Sequence, residues 1–279
     1  MRQATAIGKS REAASSNPPC TLFIAGGAGS KMTVDKPGVA PRLDSVPCAL
    51  RGVYAPIAGR PLKKGFVLGQ LGQSLDGRIA APSGQSPYIN GPQAIEHLHR
   101  LRALVDGVIV GIGTVLTDDP QLTVRQVAGP NPARIVIDPN GRLPADAKLM
   151  AEDGVPVYTV QHADQSRPSR VRAITLPSRN GHIDPFAILA GLAERGLHRL
   201  LVEGGKNTLS HFLAAGALDR LHVCVAPLRI GSGPRGLDLP LIDRYARHCR
   251  SDVSVHRLGE DVLYDFAFTP SRPKAVVLG

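Results

Sequence analysis

Residues 200–216 read LLVEGGKNTLSHFLAAG, and this stretch decides the class of fold. Leu200–Glu203 is typical of a short buried strand, two glycines follow it, and a helix is predicted from there to about Ala215. Glycines let the backbone approach a ligand closely, and the start of a helix offers unpaired N–H groups to an anion. Because open α/β sheets bind ligands at the carboxyl ends of their strands, Glu203 and Gly204-Gly205 are candidates for a nucleotide site. A plain tight turn with a surface glutamate is the alternative.

Strand and helix patterns alternate along the chain from Phe66 onward. Further strands are predicted at Phe66–Leu71, Val108–Val110, Arg134–Asp138, Val155–Val160, Leu221–Pro227 and Val262–Phe268. Further helices are predicted from Pro92 to Leu104 and from Asp184-Pro185 to a stop at Gly196. The alternation predicts an α/β domain with a largely parallel sheet covered by helices on both faces. The final run of strands predicts an antiparallel edge.

The net charge of the chain is unevenly distributed. The 279 residues carry a formal net charge of +10, which is compatible with a nucleic-acid binder, an enzyme for anionic small molecules or a basic tail. Residues 1–64 hold ten basic and three acidic residues, a net charge of +7, which leaves +3 for the remaining 215. The basic excess therefore describes mainly this segment. Aromatic residues make up only 4%, with no Trp, which also argues against a nucleic-acid partner.

The same composition indicates the domain organisation and the compartment. Residues 1–64 are predicted to be a largely flexible extension, in which only Ala49–Tyr54 is apolar enough to pack on the body. Residues 65–270 are predicted to form the domain, and 271–279 a short tail. No apolar run approaches the roughly 20 residues that cross a bilayer, so we expect no membrane association. Four scattered cysteines favour a reducing cytoplasm.

Other polar motifs follow predicted strands. Thr114, after Gly111 and Gly113, is a candidate helix cap or phosphate ligand, and Asp118-Asp119 before a proline is either functional or a cap and turn. Asp76-Gly77 predicts a tight turn. The GxGxxG match at residues 231–236 predicts a loop, because no helix pattern follows it. His97 and His99 lie on different faces of their helix, and we predict no metal site.

Several strings in a fixed order carry a resemblance to a known family. They are LGQSLDGRIA (71–80), SGQSPYIN (83–90), LRA (101–103), VGIGTVLTDDPQLTVR (110–125), RIVID (134–138), VEGG (202–205), and AP (226–227) followed by IG (230–231). Together they resemble the reductase domain of the riboflavin-biosynthesis deaminase/reductase family, over roughly Phe66 to Phe268. Each string alone is a weak signal, and their shared order makes the resemblance specific.

The resemblance implies both a fold and a reaction. The fold is dihydrofolate-reductase-like, a three-layer α/β/α arrangement with a mostly parallel mixed sheet, usually in a homodimer. The implied cofactor is NADPH. The implied reaction reduces the ribosyl C1′ of 5-amino-6-(5-phosphoribosylamino)uracil to a ribityl chain, with the protein supplying position and charge.

The resemblance also implies roles for individual residues. The implied catalytic residues are Arg78, Asp118 and Glu203. The implied substrate-binding residues are Ser86, Arg102, Leu122, Arg125 and Glu203. The implied cofactor contacts are Gln73, Tyr88, Thr114, Asp118, Pro139, Gly204, Gly205, Lys206, Asn207, Thr208 and Leu209. Paired guanidinium bonds suit a ribose phosphate, and a carboxylate can accept bonds from the uracil ring or its amino group.

Departures from the family pattern leave the substrate open. The family often has Trp at Tyr88, a small residue at Gln73 and Ser or Thr at Pro139, which itself offers neither N–H nor hydroxyl. Arg142 is an alternative partner for the adenosine 2′-phosphate. Pro19-Cys20 lacks the second cysteine of a zinc deaminase, so we expect a separate deaminase partner. The alternatives are a reductase of a related pyrimidine or pterin-like heterocycle, a non-catalytic nucleotide-binding paralogue, and a nucleic-acid binder.

Overall fold

The secondary structure comes from a computed structural model that describes residues 46–59, 65–82, 89–163, 165, 167–179, 181–238 and 252–268. The helices are α1 (Cys48–Ala58), α2 (Pro92–Leu104), α3 (Ile112–Asp118), α4 (Pro185–Ala193) and α5 (Lys206–Ala214), with a 3₁₀ turn at Lys148–Met150. The strands are β1 (Phe66–Ser74), β2 (Gly107–Gly111), β3 (Ala133–Ile137), β4 (Val157–Gln161), β5 (Arg172–Thr175), β6 (Ser178–Arg179), β7 (His182–Ile183), β8 (Arg199–Glu203), β9 (Arg220–Ala226), β10 (Asp252–Leu258) and β11 (Asp261–Ala267).

One mixed sheet organises the domain, in the strand order β10-β11-β9-β1-β8-β2-β3-β4-β5. Strands β9 to β5 in this order are parallel to their neighbours, whereas β11 pairs antiparallel with β9 and β10 pairs antiparallel with β11. The predicted three-layer α/β/α fold of the dihydrofolate-reductase type, with a mostly parallel mixed sheet, is confirmed. The antiparallel edge lies where the sequence predicts it.

Helices cover both faces of the sheet because the central strands are apolar on both. Along β1, Phe66 and Leu68 pack with α1, α2 and α3, whereas Val67 and Leu71 pack with α4 and α5. This alternation follows from the two-residue period of a strand. Residues of even number on β1 therefore face the α2 side, which places Gln70 on that side.

Helix α1 belongs to this packed body. Its residues Val53, Tyr54 and Ile57 are buried, and the Tyr54 hydroxyl lies 2.7 Å from His97 Nδ1 on α2. The apolar stretch Ala49–Tyr54, which the sequence predicts to pack on the body, lies within this helix. The remainder of the predicted extension, residues 1–45 and 60–64, lies outside the described residues, as does the tail 271–279, and the boundary at residue 65 stays a prediction.

Asp76 holds the turn after β1. Its Oδ1 accepts hydrogen bonds from Ser74 Oγ at 2.7 Å and from the amide of Ile230 at 3.0 Å, and its Oδ2 accepts one from the amide of Gly231 at 2.7 Å. These bonds, that of Ser74 foremost, lower the pKa of Asp76 to about 2. Asp76 therefore ties the β1 turn to the GxGxxG stretch, which is a loop through residue 238.

Candidate active site

A cavity of about 200 Å³ opens beside the middle of β1 and the carboxyl end of β8. It is lined by Gln70, Leu71, Gly72, Ile79, Asn90, Ala94, Ile95, Leu98, Thr114, Asp118, Glu203, Gly204, Gly205 and Cys224. Helix α2 contributes its apolar wall, whereas its polar groups come from the middle of β1, the end of β8, helix α3 and Asn90. This is the position at which open α/β sheets bind ligands, and it contains Asp118 and Glu203, which the sequence predicts as catalytic.

Glu203 is fixed in this cavity by Arg102 of α2. Arg102 Nε donates to Glu203 Oε1 at 2.8 Å and Nη2 donates to Oε2 at 2.6 Å, while Nη1 donates to the carbonyl of Thr123 at 3.1 Å. Burial alone would lower the pKa of Arg102, but the charge and hydrogen bonds of Glu203 raise it. Because three of its nitrogens are engaged in this way, Arg102 orients the glutamate and is poorly placed to bind a phosphate as a fork.

Arg125 and His99 lie beside this ion pair. The amide of Arg125 donates to His99 Nδ1 at 3.1 Å, and Arg125 Nη1 donates to Thr123 Oγ1 at 2.6 Å. Arg125 is an exposed residue. Its pKa is nevertheless lowered, first by the burial of part of the side chain and then by the positive charge of Arg102. Burial and the two arginines lower the pKa of His99 to about 4, so its ring is neutral at pH 7. Arg125 is thus an accessible cation above a neutral histidine.

Two glycine turns meet at a second cavity of about 300 Å³ next to the first. Thr114 Oγ1 of α3 accepts a hydrogen bond from the amide of Gly205 at 3.0 Å, which joins the first turn of α3 to the turn before α5. Gly204 has a φ of 124°, a conformation that side chains rarely adopt. Helix α5 begins at Lys206 without a side-chain cap, and its first three residues line the cavity, so the start of this helix could accept an anion there.

The cofactor residues implied by the resemblance are only partly brought together. Thr114, Gly205, Lys206, Asn207 and Thr208 line the second cavity. Leu209 is buried in the core against Gly69, so only its backbone can face a ligand.

Two other implied cofactor residues lie elsewhere. Gln73 lines an apolar groove on the opposite face of the sheet, and Pro139 follows β3 and lines neither cavity at the site. The contacts of Gln73 and Pro139 with the cofactor therefore remain predictions.

The other implied substrate and catalytic residues that the structure describes, Leu122 and Arg78, do not line the first cavity. Leu122 is buried in a left-handed conformation at φ 56° and supports the loop that carries Thr123. Arg78 donates from Nη1 to the carbonyl of Gly233 at 3.0 Å, and its neighbour Ile79 lines both cavities. Ser86 and Tyr88 lie outside the described residues.

Gln70 is the residue of this site that the sequence pattern does not reveal. It is the register partner of Glu203 across the parallel pair β1–β8, and its side chain lines the same cavity. A glutamine in an apolar strand is the available sequence signal, but nothing in the pattern says which face it occupies or what lies beside it. The adjacency arises from the pairing of two segments that are 133 positions apart in the chain.

A family model described as the RibD C-terminal domain matches residues 66–264. The chain belongs to this family. The RibD C-terminal domain of this chain is similar to riboflavin biosynthesis protein RibD of Escherichia coli, with 34% identity over 215 residues, which cover 68% of this chain and 59% of that protein. It is 32% identical to the 2,5-diamino-6-ribosylamino-4(3H)-pyrimidinone 5′-phosphate reductase of Methanothermobacter thermautotrophicus, covering 72% of this chain and 97% of the reductase.

Solved structures have the same fold as this RibD C-terminal domain. A deaminase/5-amino-6-(5-phosphoribosylamino)uracil reductase from Thermotoga maritima superimposes with a TM-score of 0.64 at 27% identity, over 77% of this chain and 58% of that one. The riboflavin biosynthesis reductase of Saccharomyces cerevisiae superimposes with a TM-score of 0.63 at 25% identity, over 77% of this chain and 96% of that one. The chain thus spans somewhat more than half of RibD and of the deaminase/reductase, and nearly the whole of the two proteins named as reductases alone.

Two further findings concern the described part of the RibD C-terminal domain chain. Its His, Cys, Asp and Glu side chains form no group of three that could hold a metal ion. Its helices include none that is both long and apolar enough to cross a bilayer.

Proposed function

We propose that this chain is an NADPH-dependent reductase that converts the ribosyl group of a phosphorylated ribosylaminopyrimidine to a ribityl chain in riboflavin biosynthesis. The resemblance implies 5-amino-6-(5-phosphoribosylamino)uracil as the substrate, and the archaeal relative is named for the 2,5-diamino pyrimidinone. The observation that carries the proposal is the position of Glu203. Its carboxylate is held by Arg102 in one cavity, and the glycine turn that follows it reaches the other cavity through Gly205.

The residues around the second cavity fit a dinucleotide cofactor. The uncapped start of α5 offers N–H groups to a pyrophosphate, and Gly204-Gly205 allow the backbone to approach it closely. Lys206 and Thr208 add a cation and a hydroxyl at the same rim. When bound, the reduced nicotinamide supplies a hydride to C1′ of the substrate.

The residues of the first cavity then act on the substrate. Glu203 accepts hydrogen bonds from N–H groups of the pyrimidine, and its orientation is kept by Arg102. Arg125, which is exposed and adjacent, pairs with the 5′-phosphate. The ribose ring first opens at the C1′–O4′ bond, so that O4′ becomes a hydroxyl with the amino proton and C1′ forms an imine with the amino nitrogen. Reduction at C1′ then adds a proton to this nitrogen, and we assign its transfer to Asp118, which lines the cavity. The apolar wall of α2, with Ile95 and Leu98, limits the access of water.

We also propose that the enzyme is a cytoplasmic homodimer that works with a separate deaminase. What supports dimerisation is an apolar face formed by β9, β11 and β10. Leu221, Val223, Tyr264 and Phe266 line a groove of about 570 Å³ there, and Val255, the register partner of Tyr264, is 58% exposed. Light scattering should give twice the monomer mass, and Val255→Lys should lower it. A monomer at micromolar concentration would contradict the dimer.

Spectrophotometry at 340 nm tests the proposed reaction directly. The purified chain is mixed with the deaminated ribosylaminouracil phosphate or with the diamino pyrimidinone phosphate, and with NADPH or NADH in separate reactions. We expect oxidation of NADPH to be preferred and the ribitylamino phosphate to form in equal amount. A folded protein that oxidises neither cofactor with either pyrimidine would overturn the proposed function.

A further inference from the structure

Arg125, which is proposed to bind the substrate phosphate, lies in a segment that is neither helix nor strand. The backbone of this segment is held by side chains from elsewhere in the chain. Arg102 Nη1 donates to the carbonyl of Thr123 at 3.1 Å. The amide of Val124 donates to Asn131 Oδ1 at 2.7 Å. These two bonds fix the residues before Arg125, and the position of Arg125 itself depends on a third bond.

The third bond is made with His99 of α2. The amide of Arg125 donates to His99 Nδ1 at 3.1 Å, so Nδ1 is the acceptor and the proton of the neutral ring is on Nε2. His99 is only 2% exposed, so water does not readily replace this bond. Burial and the charges of the two neighbouring arginines lower the pKa of His99 to about 4. The ring therefore remains an acceptor for the backbone of Arg125 at neutral pH.

One face of α2 controls both ends of the proposed substrate site. His99 and Arg102 lie three positions apart on this helix, so their side chains are on the same face. Arg102 holds the carboxylate of Glu203, whereas His99 holds the backbone of Arg125. Because the helix is rigid over a single turn, α2 sets the relative position of the group proposed for the pyrimidine and the group proposed for the phosphate.

We propose that His99 is a positioning residue for the phosphate end of the substrate site, and that its Nδ1 keeps Arg125 placed for the 5′-phosphate. This inference rests on the proposed function. An arginine on an untethered segment would lose the freedom of both its backbone and its side chain when the ligand binds, and this loss of entropy weakens binding. The bond to His99 removes the backbone part of that loss before the ligand arrives. Its benefit is therefore restricted to ligands that carry the phosphate.

The first experiment measures kcat/KM with the ribosylaminopyrimidine phosphate and with the same compound lacking its phosphate. The wild type should prefer the phosphorylated compound by about a hundredfold or more. His99→Leu removes the acceptor, and the preference should fall about tenfold through a higher KM for the phosphorylated compound, with kcat within about threefold of the wild type. A general structural defect would instead lower kcat/KM for both compounds alike. An unchanged preference in His99→Leu refutes the proposed role.

Two further variants separate the acceptor from the loss of a buried histidine. His99→Asn retains an acceptor near the position of Nδ1 and should restore the phosphate preference to within about threefold of the wild type. His97→Asn is the matched control, because His97 is buried on the same helix but its ring bonds to Tyr54 and His222. It should lower stability and leave the preference unchanged. If His97→Asn lowers the preference as much as His99→Leu, the proposal is wrong.

Nitrogen-15 NMR of the histidine-labelled wild type tests the acceptor without any dependence on the folding of His99→Leu. The signals of His99 are assigned by their absence from the spectrum of His99→Asn. At pH 7 we expect Nδ1 to be unprotonated and Nε2 to be protonated, both before and after the ribitylamino phosphate is added. A protonated Nδ1 could not accept the Arg125 amide, and this result would contradict the proposal.

Calorimetry separates this proposal from the proposed function. The ribitylamino phosphate and its dephosphorylated form are titrated into the wild type, His99→Leu and His99→Asn without cofactor. If the wild type reduces neither ribosyl compound but binds the phosphorylated form more tightly, and only His99→Leu loses about tenfold of that preference, the positioning role is supported while the reductase function fails. Equal binding of the two forms to the wild type, or binding of neither, overturns the positioning role whatever the activity.

Discussion

Arg102 and Glu203 form an ion pair with two parallel hydrogen bonds, although 101 positions separate them in the sequence. Both side chains are more than nine-tenths buried. The geometry is the fork-to-carboxylate arrangement that gives arginine its directional strength. It connects the last turn of α2 to the end of β8, so the same contact stabilises the packing of the helix on the sheet and aims the carboxylate into the cavity.

Replacing Arg102 with Met should lower the free energy of unfolding by about 3–5 kcal/mol, because the buried Glu203 carboxylate would lose its partner. Urea denaturation followed by circular dichroism measures this change. Arg125→Met is the matched control, since Arg125 is exposed, and it should alter stability by no more than about 0.5 kcal/mol. Similar losses in both variants would contradict the structural role of the ion pair.

Glu203→Gln and Arg125→Ala should each lower kcat/KM strongly, by roughly a hundredfold, while the affinity for NADPH stays nearly unchanged. The reason is that Glu203 lines the first cavity and Arg125 is held beside its ion pair by His99, whereas Lys206, Asn207 and Thr208 line only the second cavity. Steady-state kinetics and fluorescence titration with NADPH measure the two quantities. Arg179→Ala, an exposed arginine on β6, should behave as the wild type. A matching loss of NADPH affinity would refute this division of roles.

The stability of the protein should decrease as the pH falls from about 6.5 to about 4. His99 has a folded-state pKa of about 4, and burial also lowers the pKa values of His97 and His222. Above pH 6.5 these rings are neutral in both states and add no pH dependence. Below it the unfolded chain binds protons that the folded chain does not, so unfolding becomes more favourable.

Urea midpoints at pH 7.5, 5.5 and 4.5 measure this dependence. His99→Asn retains an acceptor for the Arg125 amide and should reduce the slope, whereas His162→Asn, at an exposed position, should leave it as in the wild type. An equal slope in all three proteins would show that His99 is not held neutral by burial.

Truncation should show that α1 is part of the folded body. A chain beginning at residue 65 loses the buried side chains Val53, Tyr54 and Ile57 and should be several kcal/mol less stable than a chain beginning at residue 46. Tyr54→Phe isolates the hydrogen bond to His97 and should cost about 1–3 kcal/mol, because a buried ring nitrogen loses its partner. Thermal melts of the three proteins provide the comparison. Equal midpoints for the two truncated chains would place the domain boundary at residue 65.

The sequence by itself determined the elements whose signals are local. The bounds of α2, Pro92–Leu104, are those that its proline start and apolar spacing predict, and α5 follows its glycine pair as expected. The antiparallel edge was also evident from the late strands. Strand β10 and helix α1 were not predicted, because β10 is mostly exposed and α1 lies in a segment with weak periodicity.

Only the tertiary structure decided how the site is assembled. Arg102 has no visible partner in the sequence near it, and Gln70 is one polar residue in an apolar strand. The pairing of β1 with β8 puts Gln70 beside Glu203, and the packing of α2 on that face brings Arg102 to the carboxylate. A local sequence pattern is enough to specify a strand or a helix, because the period of its apolar residues depends only on neighbouring positions. The contacts that make a binding site join segments far apart in the chain, and these exist only after the sheet has formed.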